Sequence, residues 1–191
     1  MSCCDLDAAA AVLLARALAA AANLETLDIS QNKCGDNGTV AICHALKGNT
    51  RLLKLNLRQN EIGARGGKEI GDLLACPGLR LKKLNVSWNS IRGYGSAALC
   101  RAVGANVHLQ RLDTSWNIVG EESACMLGDA LARNKSMFYL NLEHCGINDV
   151  SAVSCAHTHA QTVTRCPLKH IKSPSRSTTP PKHATLLQLK P

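Results

Sequence analysis

The sequence predicts an α/β fold of one kind: a right-handed solenoid, or horseshoe, with a parallel sheet on the inside and helices outside. Three observations carry this. A segment of the form L-x-x-L-x-L-x-x-N/C begins at Leu24, Leu52, Leu81, Leu109 and Met137, at intervals of 28, 29, 28 and 28 residues. A stretch with helical spacing of apolar residues follows each of the first four. Aromatic residues make up only 3% of the 191 residues, so the core must be built in aliphatic layers. A fixed period of this size is the signature of stacked units, each covering its neighbour's apolar flank.

The elements follow in order. Residues 1–23 read as a partial N-terminal repeat: a helix over about 5–22 whose strand is missing, with Leu14 and Leu18 in the helical core columns. Asp5, Asp7 and Arg16 disqualify this segment as a secretory leader, and its apolar run is too short to span a bilayer. Residues 24–165 hold five repeats. Strands are expected near 26–30, 54–58, 83–87, 111–115 and 139–143, where alternation sends the fourth and sixth motif residues inward and the fifth to solvent. Asn32, Asn60, Asn89 and Asn117 stand where the chain leaves the strand, with amides that can satisfy backbone groups and form a ladder to the next repeat; Cys145 takes that place in the fifth unit. In the helices Ile42, Ile70, Leu99 and Leu127 form one core column, and Leu46, Leu74, Val103 and Leu131 another. Cys43, Gly71, Cys100 and Gly128 form a small-residue column. The fifth repeat degenerates after about 153, where Cys155, His159 and Arg165 replace apolar residues. Residues 154–165 are expected to form a frayed helix, and 166–191, rich in Pro, Ser, Thr and Lys, a disordered basic tail.

From Leu24 to about Val153 the chain resembles cytosolic leucine-rich-repeat proteins of the ribonuclease-inhibitor type. The phrases LNVSWNSIRGYGSAALCRAV and LDTSWNIVGEESACMLGDALARN look most similar to the leucine-rich-repeat-containing protein 74 type. The resemblance implies the horseshoe and a protein-binding role. It implies no enzymatic activity that can be carried onto particular residues.

Recognition is expected on the solvent side of the sheet. The only two tryptophans of the chain, Trp88 and Trp116, share one repeat column with His144, so their rings should lie about one strand spacing apart, roughly 5 Å. Lys54, Lys83, Arg111 and Tyr139 form another column, and Arg58, Ser87 and Ser115 a third, with Asp113 between them. Paired Trp with neighbouring Arg and Lys is the composition of a binding hot spot. The competing reading is that Ser-Trp-Asn merely fills the corner after the strand.

Other motifs weigh little. Gly93-Tyr94-Gly95 opens a helix after a strand, but Gly38, Gly66 and Gly95 share a repeat column, so the glycines read as packing residues. Cys155, His157, His159, Cys166 and His170 match no common zinc spacing. No nucleophile, base and acid fall together. No cofactor or metal is expected.

The net charge of +8 is concentrated: 1–164 hold 16 basic and 14 acidic residues, and 165–191 hold six basic ones and no acid. That distribution argues against specific nucleic-acid binding by the repeats. Ten cysteines without an export signal read as free thiols in a reducing cytoplasm. The expectation is a cytoplasmic, non-enzymatic scaffold for a protein partner, binding neither a membrane nor a small-molecule substrate. The alternatives are a regulator of a small GTPase, and a shortened form of a longer repeat protein without independent function.

Overall fold

The computed structural model describes residues 4–21 and 23–147, together with the backbone of 170–172. Helix α1 (Ala8–Ala20) leads into four strand–helix units and a fifth strand: β1 (Thr26–Asp28), α2 (Gly35–Leu46), β2 (Lys54–Asn56), α3 (Ala64–Leu74), β3 (Lys83–Asn85), α4 (Tyr94–Ala105), β4 (Arg111–Asp113), α5 (Gly120–Arg133) and β5 (Tyr139–Asn141). A sixth strand, β6 (His170–Lys172), follows. The strands form one parallel sheet in sequence order. Leu27, Leu55, Leu84, Leu112 and Leu140 stand opposite one another across it.

The strands begin where expected but are three residues long. Backbone bonds prolong the pairing past their ends, as in Ile29 N–H to Asn56 and Gln31 N–H to Arg58. The inward columns are buried: the strand leucines, then Ile29, Leu57, Val86 and Leu142, then both helical columns of α2–α5. Thr114 takes an inward place too, donating its hydroxyl to the Asn141 carbonyl. In α1, Leu18 is buried and Leu14 half-buried; among the described residues α2 is the one helix packed on α1. Asp7 caps this helix by accepting the Ala10 N–H.

The asparagine ladder runs to the preceding repeat, not the following one. Asn89 accepts from the N–H groups of Asn60 and Ile62, and donates to the Leu57 carbonyl and to its own strand's Val86. Asn117 repeats this against Ile91 and Val86. Cys145 keeps the geometry in weaker form, its thiol directed at the Thr114 carbonyl at 3.1 Å. A second asparagine column, unnoticed in the sequence reading, ties down the turns after the helices. Asn49, Asn106 and Asn134 each donate to a carbonyl of an earlier repeat and accept two N–H groups of their own turn.

The disorder expected for 166–191 does not hold at His170–Lys172, which pair in parallel with Tyr139–Asn141. The register puts Ile171 beside Leu140, so Leu168 and Ile171 keep the L-x-x-L spacing of the motif. The strand falls 31 residues after β5 instead of 28 or 29, which hid it. The frayed helix over 154–165 and the remainder of the tail lie outside the described residues.

Helices pack through small residues. A Cβ added to Gly71 would sit 2.9 Å from the Ala98 carbonyl oxygen, and one on Gly95 would collide with the backbone of Ala64. Of the two glycines flanking Tyr94, Gly95 is thus a packing residue, whereas Gly93, with φ 54° and nothing within 4 Å of an added Cβ, serves the turn.

Candidate functional site

On the concave side, each repeat leaves its strand through the same small turn. The carboxylate or amide of Asp28, Asn56, Asn85, Asp113 and Asn141 accepts the N–H two residues on. This is the local preference of Asp and Asn for bonding their own backbone. In three units the serine two places on also donates its hydroxyl back: Ser30 to Asp28 at 2.7 Å, Ser87 to Asn85 at 2.7 Å, Ser115 to Asp113 at 2.6 Å. These serines were expected on the solvent face, and they are buried. Asp113 was expected to meet a partner. It is half-buried, and its carboxylate is used by Ser115 and by the Asn141 amide, so the fold already occupies it. Burial pulls the Asp28 carboxyl upward, but its bonds from Ser30 and Asn56 outweigh this and hold it below the usual carboxylate range.

The next residue turns the chain away with a positive φ: Gln31 (57°), Gln59 (54°), Trp88 (57°), Trp116 (57°) and His144 (55°). Non-glycine residues, bulky ones above all, rarely adopt this left-handed conformation. In the last three units the turn lifts the rings into one continuous stack. The Trp88 and Trp116 rings lie 4.1 Å apart between centroids at 15°, and Trp116 and His144 lie 4.0 Å apart at 29°. The Arg58 guanidinium lies over the Trp88 ring, 5.9 Å from its centroid. The four groups form a ridge, Arg58–Trp88–Trp116–His144, at the end of the strands. Both tryptophans nevertheless stay exposed, at 44% and 41%.

Beside this ridge runs the second column. Lys54, Lys83 and Arg111 are direct register partners on β2, β3 and β4, and all three are exposed. Arg111 lies over the ring of the half-buried Tyr139 at 4.5 Å. Lys82, also exposed, adds a cation that the sequence reading passed over. Its signal was legible: it fills the second place of the motif, held elsewhere by Glu25, Leu53, Gln110 and Phe138. The structure thus brings Trp88, Trp116, His144 and Arg58 into contact, sets Lys54, Lys83 and Arg111 in line next to them, and draws Asp113 inward.

Among the described residues no group of three or more His, Cys, Asp or Glu could hold a metal ion. The cavity bounded by Val86, Leu99, Leu112, Leu127 and Leu140 lies in the apolar core and reaches about 20 Å³.

A family model described as "Leucine Rich repeat" matches residues 20–43 and 48–71. The chain is a leucine-rich-repeat solenoid. The ribonuclease inhibitor of Sus scrofa is 28% identical over 153 residues, covering 65% of this chain and 34% of that protein. Leucine-rich repeat-containing protein 45 of Gallus gallus is 30% identical over 122 residues, covering 63% of this chain and 18% of that one. The leucine-rich-repeat chain therefore spans 34% and 18% of the length of these two relatives. Among solved structures, the second actin-binding site of leiomodin-1 superposes with a TM-score of 0.64 at 17% identity, over 81% of this chain and 88% of that one. At that identity the likeness is one of fold. No helix of the described residues is long and apolar enough to cross a membrane.

Proposed function

We propose that the chain is a non-enzymatic scaffold that holds a protein partner against its concave face, centred on Trp88 and Trp116. The observation that carries this reading is the placing of two bulky rings at a left-handed turn position. That conformation costs an L-residue about 1–2 kcal/mol, and glutamine serves the same corner in the first two repeats. The corner therefore has no need of tryptophan. What the rings add is a stacked, rigid, half-exposed ridge flanked by Arg58 and Arg111, the side-chain types that dominate interface energetics. The protein-binding scaffold is supported by the repeat family, and Cys34, Cys43, Cys76 and Cys145 are unbridged thiols, which supports action in a reducing cytoplasm.

The test is a double variant, Trp88→Gln with Trp116→Gln, carrying the residue that positions 31 and 59 already use at this φ. Proximity labelling in cells compares it with the unaltered chain. The expected result is loss of a defined set of labelled proteins with the circular dichroism spectrum retained. An unchanged set would exclude this face. A parallel assay of GTP hydrolysis by small GTPases, unaffected under this reading, separates it from GTPase regulation.

A further inference from the structure

Resting on that reading, we infer that the segment taken by the concave face is an extended, acidic stretch of a protein, rich in Asp and Glu. Its carboxylates would sit on the Lys54–Lys83–Arg111 row and its backbone would pass the exposed indole edges.

Charge balance is the first argument. Lys54, Lys83 and Arg111 stand on adjacent strands, about 4.8 Å apart per rung, and Arg58 and Lys82 lie beside them. None of the five makes an ion pair among the described residues. Elsewhere some cations are matched, such as Lys68 with Asp72 at 2.6 Å, Lys47 with Glu69 at 3.7 Å and Arg51 with Glu25 at 3.6 Å, and others are not; what sets this group apart is that three of its cations stand in direct register on adjacent strands. Like charges placed directly opposite on a sheet repel, so a row of three is a feature that an anion relieves. The nearby acids make no ion pair with the row. Asp28 and Asp113 are bound by Ser30, Asn56, Ser115 and Asn141, and Glu143 lies 3.9 Å from His144.

The ridge supplies the second argument and decides between a peptide and a single-stranded nucleic acid. A strand of bases binds by stacking on free aromatic faces. Here the faces are used: Trp88 stacks on Trp116 with Arg58 over its ring, and Trp116 lies between Trp88 and His144. What the 44% and 41% exposure leaves open is ring edge. Indole edges carry the positive side of the ring quadrupole and a donor-only N–H. Such edges suit carboxylates and main-chain carbonyls. At about 3.4 Å per residue, roughly five extended residues cover the cationic row and its margins.

The experiment is fluorescence anisotropy of the full chain with three labelled probes: a peptide of consecutive Asp and Glu, its Asn/Gln counterpart, and single-stranded oligothymidylate. The acidic peptide is expected to bind, and to weaken as salt rises. Lys83→Glu with Arg111→Glu should weaken it by about tenfold or more. Lys135→Glu, exposed in the turn after α5, should leave it unchanged. Circular dichroism confirms that each charge reversal keeps the fold. Failure of the acidic peptide to bind overturns the inference. Equal binding of the Asn/Gln peptide also overturns it, while leaving the concave-face reading to the tryptophan variants. Tighter binding of oligothymidylate, abolished by the same charge reversals, would overturn both.

Discussion

Asn117 spends its whole side-chain amide inside the fold. Its nitrogen donates to Val86, Thr114 and Ser115, and its oxygen accepts the Ile91 N–H at 3.0 Å. Asn117→Ala would strand a buried N–H and several carbonyls, at about 1–3 kcal/mol for each group left unsatisfied. A loss near 3 kcal/mol is expected in urea unfolding. Asn60 provides an internal control. Its Oδ1 is buried without a partner, so Asn60→Ala should cost about 1 kcal/mol less, one hydrogen bond's net worth; equal losses would mean that the ladder works through shape and not through bonding. The thiols add a pH term. Burial pushes Cys34 and Cys145 from the ordinary 9.0 up to about 11, and raises Cys43 as well. In the unfolded chain they ionise near 9 while the folded chain keeps their protons. Their contribution is therefore complete below pH 9 and is lost as pH rises toward 11, at up to about 1.4 kcal/mol per pH unit for each thiol. The urea midpoint should fall between pH 8 and pH 10. Cys43→Ala should shrink that fall, because its column already accepts small residues at Gly71 and Gly128; a fall of the same size in the variant would remove the thiols as its cause.

Helix-to-helix spacing is set by the glycines. At Gly95 two effects oppose each other. Alanine favours a helix interior by about 1 kcal/mol over glycine. Against that, a Cβ there runs into the backbone of Ala64 on α3, and overpacking of a well-filled contact costs about 1–3 kcal/mol. Backbone cannot rotate aside as a flexible side chain can, so the collision wins. Gly95→Ala should lower stability by about 1–2 kcal/mol. Gly48 offers the contrast, with nothing within 4 Å of an added Cβ: Gly48→Ala should be neutral, or stabilising by about 0.4–1 kcal/mol through a less flexible unfolded chain. Thermal unfolding of the two variants side by side checks both signs. At this level the sequence is readable where a column repeats, as with Gly38, Gly66 and Gly95. It is less so where a turn redirects a side chain. Ser87 and Ser115 alternate correctly for solvent, yet the preceding Asn85 and Asp113 draw their hydroxyls inward.

Among the described residues, each helix packs side by side only with the helices before and after it in the chain, and each strand pairs only with its sheet neighbours. This is why the period alone foretold the architecture: one motif, repeated, states both the unit and its only interface. It is also why the sixth strand escaped notice. A three-residue change in spacing breaks the count, and Ser173 and Arg176 stand at the sixth and ninth places, where the other repeats have Ile29, Leu57, Val86, Thr114 or Leu142 and an Asn or Cys145. The Trp88–Trp116 column was readable for the same reason as the core, since a column on a solenoid is a line in space. Its burial pattern was not, because that depends on the left-handed turn. A chain of nearest-neighbour contacts makes a further demand. Stability should be greatest where a unit is covered on both flanks and least where it is covered on one. Helices α3 and α4 interlock through Gly67, Gly71 and Gly95 at the centre, whereas α1 leaves Val12 and Leu13 exposed, at 42% and 64%. Hydrogen exchange followed by mass spectrometry should therefore show the slowest amides in α3 and α4, with protection falling stepwise through α2 to α1. Gly95→Ala should lower protection in the central pair more than in α1. Uniform protection across all five helices would mean that the solenoid unfolds as one unit, with the glycine-lined contact no stronger than its neighbours.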